Sequence, residues 1–141
     1  MDRTPLPDDP PLAAALRACA DGFYPAEAAA ELLICHASWL YRDDFGDGYV
    51  HAGTSITDGI TTMAGIDWPA AIAALDNGGL PCSGGERRVL RIAASLADGI
   101  PVDLRDALTG MDTANVDRSV QAMLHAAGRA SGRRGNSACS E

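Results

Sequence analysis

The segment from Ser83 to Gly99 carries its own start and stop, and this constrains the fold more than any other feature of the chain. Ser83 lies three residues before Glu86, the spacing of a capping box. In that motif the serine oxygen accepts from the Glu86 amide, and the Glu86 carboxylate accepts from the Ser83 amide. Val89, Ile92, Ala93 and Leu96 then recur at helical spacing until Gly99, a residue suited to ending a helix. Other segments follow the same grammar. Pro11 opens a helix with Leu12, Leu16 and Cys19 on one face, closed by Gly22. Pro25 opens a longer one reaching Arg42, with Ala29, Leu32, Leu33, His36, Trp39 and Leu40 as its apolar stripe. Asp67 caps a helix that stops at Asn77-Gly78-Gly79, with Ile66 placed to staple onto Ala71 or Ile72. Asp103 starts a short helix carrying Leu104, Ala107 and Leu108 inward and ended by Gly110. Asp112 caps a last helix with Val116, Val120, Met123, Leu124 and Ala127 inward, closed by Gly128.

Composition agrees with this pattern. Apolar residues make up 47% of the 141, yet only seven are Phe, Trp or Tyr, so alanine supplies much of the packing surface. Alanine is the best helix former and lets helices approach closely. The expectation is an all-α fold of about six helices in one compact domain over 11–128. Residues 1–10 should be disordered and 129–141 a flexible tail. Residues 43–66 interrupt the pattern: Gly46, Gly48, Gly53, Gly59 and Gly65 punctuate β-branched residues. This segment reads either as a short hairpin or as an irregular loop over the helices.

Charge divides the domain. Residues 1–79 hold twelve carboxylates against three arginines, whereas 80–141 hold seven against eight. The acidic half (11–79) and the trihelical half (80–128) can therefore attract one another or face different partners. The net charge of −8 disfavours nucleic acid and anionic membrane as partners. No stretch approaches a membrane span and the first residues lack an apolar export core, so the expected location is cytoplasmic. The four cysteines, scattered without a Cys-x-x-Cys pair, read as thiols in a reducing compartment.

Ser83-Gly84-Gly85-Glu86-Arg87-Arg88 resembles the signature motif of ABC-type ATPases. Such a site also needs a phosphate loop ending in Lys-Ser/Thr, and all eleven basic residues here are arginine. That leaves a capped helix start at which Ser83, Gly84, Gly85, Arg87 and Arg88 form a candidate anion site. Asp43, Asp44, Asp47 and His51 form a candidate metal site, although Phe45 stands where a calcium loop needs an oxygen ligand and Thr54 where it needs a bidentate glutamate. Cys35 and His36 are adjacent on a helix and point about 100° apart, which does not suit a nucleophile and its base. No motif demands a cofactor or a catalytic assignment.

The last three helices, Glu86–Leu96, Val102–Leu108 and Asn115–His125, resemble a helix-turn-helix core. The resemblance implies a DNA-reading third helix with Asn115, Asp117, Arg118, Gln121 and His125 exposed. Arg118, Gln121, Arg133 and Arg134 would then be the contact residues. The region 66–128 also resembles small uncharacterised helical proteins of actinobacteria, a resemblance that implies a compact cytoplasmic protein and no particular activity. The leading expectation is a non-enzymatic module that acts through an as yet unknown protein partner. The acidic half or the 43–66 segment would supply the contact surface. DNA regulation, or a small-ligand or metal-dependent enzyme using the 43–51 loop, are the alternatives.

Overall fold

The computed structural model describes residues 12–129. The expectations for residues 1–10, for Pro11 and for the tail beyond Arg129, including Arg133 and Arg134, fall outside that range. Among the described residues there are seven α-helices, a 3-10 turn and one antiparallel hairpin. The helices are α1 (Ala13–Ala20), α2 (Tyr24–His36), α3 (Asp43–Tyr49), α4 (Trp68–Asp76), α5 (Gly84–Asp98), α6 (Leu104–Thr109) and α7 (Thr113–Ala126). The strands are β1 (Val50–Thr54) and β2 (Thr62–Ile66). The fold is thus mostly helical, as the sequence suggests, with a small sheet where the irregular segment or short hairpin is expected.

Helix α2 is the hub and packs on α1, α5 and α7. Its buried Ala28, Ala29, Leu32 and Leu33 meet Val89, Leu90, Ile92 and Ala93 from α5 in one continuous core. Each large aliphatic side chain contributes about 1.5–3 kcal/mol by leaving water. A forked pair from Arg17 to Glu31, at 2.7 and 3.1 Å, ties α1 to the flank of α2. The expected caps form. Asp67 accepts from Ala70 N, Asp103 from Asp106 N and Asp112 from Asn115 N. Both capping-box bonds at Ser83 and Glu86 are present, at 3.1 and 2.9 Å. Gly99 closes α5 with φ +70°.

Besides Leu104, expected inward on α6 but 47% exposed, three features differ from the sequence reading. First, the helix expected to run to Arg42 stops at His36. Ala37 has φ 73° and ψ −41°, and its amide bonds Leu33 O at 2.7 Å. The reversal feeds a 3-10 turn over Ser38–Tyr41 that delivers Trp39 and Leu40 into the core. There the indole N–H donates to Glu86 O at 2.9 Å, and the ring lies 5.3 Å from that of Phe45.

Second, α3 forms from Asp-Asp-Phe-Gly-Asp-Gly-Tyr, a sequence of poor helix propensity. Asp43 and Asp44 sit in its first turn, where the helix dipole favours anions, and buried Phe45 anchors it. Third, α7 is rotated from its expected face. Ser119 (0% exposed) and Ala122 (5%) are buried, while Val120 (42%) and Leu124 (40%) face outward. Small side chains let α7 approach α2 closely.

No helix among the described residues is long and apolar enough to cross a membrane. Cys19 and Cys82 are the free thiols among them; Cys35 is not, so the reading of every cysteine as a thiol does not extend to it.

Candidate interaction surface

The hairpin grows directly out of α3. Val50 pairs with Ile66, Ala52 with Ala64 and Thr54 with Thr62. Strand β2 lies against α1 and buries Ala64, whereas β1 is exposed from His51 to Thr54. Beyond the ladder the chain folds into a tip that is fixed by its own polar groups. Ser55 N donates to Thr61 O at 2.8 Å, and Gly59 N donates to Ser55 O at 2.7 Å with φ +66°, a conformation that suits glycine. The Asp58 carboxylate accepts from Ile60 N (2.8 Å), Thr61 N (2.9 Å) and Thr61 Oγ1 (2.5 Å). These bonds hold its pKa down at about 2, with the Thr61 hydroxyl as the largest cause. Ser55, itself buried, accepts from Thr57 N.

This bonded frame presents two isoleucines to water: Ile56 is 100% exposed and Ile60 79%. They are the most exposed large apolar residues of the described chain. A single exposed aliphatic residue is ordinary. Two on a tip held in place by its own backbone and side-chain bonds form a ready contact element. Burying both would gain about 3–6 kcal/mol by transfer, before the cost of association.

The proposed metal residues lie at the root of the same hairpin but do not gather. Asp43, Asp47 and His51 are exposed, and Asp44 is forked to Arg42 at 2.7 and 2.9 Å. That pair lowers the Asp44 pKa and raises that of Arg42. Arg42 also donates to Pro81 O and stacks over Trp39, 4.6 Å from the ring centroid. Asp44 is therefore part of a latch holding the turn before α5. Among the described residues no three His, Cys, Asp or Glu side chains are placed to hold a metal ion.

At the α5 start, Ser83 and Glu86 occupy each other as a capping box, and the arginines diverge. Arg87 is exposed. Arg88 folds over Gly110, donating to Asp106 O, Gly110 O and the Asp106 carboxylate. Arg91 pairs with Asp76 on α4. A shallow cavity of ≈ 200 Å³ lies between Arg88, Arg91, Asp103 and Asp106, with both arginines already paired. Ser83, Gly84 and Gly85 are thus not joined by a converging set of arginines.

On α7, Gln121 is exposed, but Arg118 is half-buried and donates to Asn115 Oδ1 at 2.9 Å. Its buried Nε lacks a partner, as does the buried Nδ1 of His36. Burial holds the His36 pKa below its ordinary value, and the Arg118 charge lowers it further. His125, expected outside, bonds Glu27 at 2.8 Å, with Tyr24 edge-on at 6.3 Å. The His125 hydrogen bond lowers the Glu27 pKa, aided by a bond from Gly22 N. The rotation of α7 thus takes two of the five proposed DNA-facing groups out of free solvent: Arg118 bonds Asn115 within α7, and His125 ties α7 to α2 through Glu27. The signal available in the sequence was Ser119 and Ala122, two small residues one turn apart, which suit a close helix contact better than Val120 and Leu124.

No protein-family profile, no curated protein and no solved structure matches the chain.

Proposed function

We propose that this chain is a protein-interaction or regulatory module whose contact element is the hairpin tip at Ile56 and Ile60. The observation that carries the reading is a polar-bonded tip holding Ile56 fully, and Ile60 largely, in solvent. The acidic setting supports it, since Asp43, Asp47 and Asp58 lie on or beside the hairpin and give a partner a charged rim to recognise. DNA regulation through Arg118 and Gln121 is supported less well, because Arg118 is engaged with Asn115 and packed toward His36. The 43–51 enzyme reading lacks a gathered ligand set among the described residues.

The test compares the wild-type chain with an Ile56→Ser/Ile60→Ser variant as bait in actinobacterial lysate. A stoichiometric protein retained by wild type at moderate salt and lost by the folded variant is the expected result. Equal retention by both would remove the tip from the account.

A further inference from the structure

The bonding pattern of the hairpin fixes which way each β1 peptide points. Asp67 N donates to Tyr49 O and Ser55 N donates to Thr61 O, both at 2.8 Å. In an antiparallel ladder, bonded and non-bonded pairs alternate. With the register Val50↔Ile66 to Thr54↔Thr62, Tyr49, His51, Gly53 and Ser55 therefore face β2. Val50, Ala52 and Thr54 turn their N–H and C=O outward. The sheet has only two strands, and β2 is the one against α1, so this outward row pairs with no strand among the described residues.

Natural sheets guard such edges with lysine, proline, an inward charge or a bulge. The edge His51-Ala52-Gly53-Thr54 has none of these; all four residues are exposed, and Ala52, Gly53 and Thr54 are small. It is long enough for three outward peptides and ends at the two isoleucines of the tip.

Charge narrows what can pair with it. Residues 12–79 contain nine carboxylates and two arginines, and both arginines are committed, Arg17 to Glu31 and Arg42 to Asp44. Asp43 and Asp47 are exposed on the helix leading into β1, and Asp58 stays ionised at the tip. A second copy of this chain would bring like charges together along the edge. A basic strand would neutralise them.

We propose, building on the contact reading above, that β1 accepts an extended, arginine- or lysine-bearing segment of a partner protein. The segment adds as a third strand along Val50, Ala52 and Thr54. Main-chain bonds to the edge supply register, the carboxylates select a basic sequence, and Ile56 and Ile60 cover an apolar residue at its end. Association should weaken with salt, because the selecting charges are exposed.

The experiment uses the full chain, isotope-labelled, titrated with a short synthetic peptide of alternating arginine and valine and with its glutamate–valine analogue. The expected result is shifted, exchange-protected amides at Ala52 and Thr54 with the basic peptide only, and little change at Gly53, whose amide faces β2. Ala52→Pro removes an outward donor that the β1–β2 ladder does not use, and proline is tolerated at such an edge position. It should weaken peptide binding about tenfold. Thr54→Pro repeats the test at a second outward amide should Ala52→Pro disturb the hairpin. Lack of binding, equal binding of both peptides, or proline variants that bind as wild type would overturn the proposal. So would protection of Ala52 and Thr54 that grows with protein concentration alone, which would assign the edge to a second copy. In the lysate assay, loss of the partner by the Ile56→Ser/Ile60→Ser variant but not by Ala52→Pro would leave the contact reading standing and remove strand addition. Loss by Ala52→Pro alone would do the reverse.

Discussion

Replacing Ala37 with glycine should stabilise the protein, although it deletes a methyl group. Ala37 sits at φ 73° and ψ −41°, where an L side chain crowds the backbone. That conformation costs a non-glycine residue about 1–2 kcal/mol. Glycine removes the strain but gains freedom in the unfolded chain worth roughly 0.4–1 kcal/mol. The net expectation is a gain of about 0.5–1 kcal/mol, or a Tm rise of roughly 2–4 °C for a domain this size. Ala37→Val should move the other way by more than 1 kcal/mol on an order-of-magnitude reckoning, since a β-branched side chain is worse placed at positive φ. Urea and thermal unfolding of the two variants, with unchanged m-values, would measure both. A glycine variant less stable than wild type would refute the reasoning that Trp39 burial holds Ala37 in a strained turn.

Other outcomes follow from the same contacts. The lowered pKa of His36 means the folded state resists its protonation, so its contribution is intact above the unfolded value of about 6.5 and is lost as pH falls through the folded pKa. His36→Phe should flatten that part of the stability–pH curve, and an unchanged curve would contradict it. Glu27 is likewise lowered, from 4.5, so its stabilisation is present above that pH and fades as pH falls through the folded value. Glu27→Gln should remove this acid-side slope and loosen α7 in hydrogen exchange. A β-carbon at Gly110 would lie 2.3 Å from Arg88 Nε and Cζ, so Gly110→Ala should displace the guanidinium from Asp106 and cost up to about 1 kcal/mol. On an Arg88→Ala background the same change should be nearly neutral, a non-additivity that a double-mutant cycle would detect.

Where local chemistry decides structure, the sequence was readable. Asp67, Ser83 with Glu86, Asp103 and Asp112 cap the helices they precede, because a short polar side chain satisfies amides only a few residues away. Where tertiary packing decides, it was not. The stop at Ala37 answers to Trp39 reaching Glu86 O, forty-seven residues on, and no local signal encodes that demand. Helix α3 overrides two glycines because Phe45 has a core to enter. The α7 face differs for a related reason: valine and leucine look like core, but a close contact with α2 is better served by Ser119 and Ala122. Of the candidate surface, the glycine-punctuated β-branched stretch suggests a short hairpin or an irregular loop, while the exposure of Ile56 and Ile60 depends on the tip bonds of Asp58, which no sequence pattern announces.

The most direct test of the central claim is residue-resolved hydrogen exchange on the protein bound to the partner recovered from lysate, compared with the free chain. The account predicts that protection on binding concentrates in residues 50–61 and is absent from the Ile56→Ser/Ile60→Ser variant. Protection centred instead on α5 to α7, with residues 50–61 unchanged, would contradict it and move the functional surface to the trihelical half.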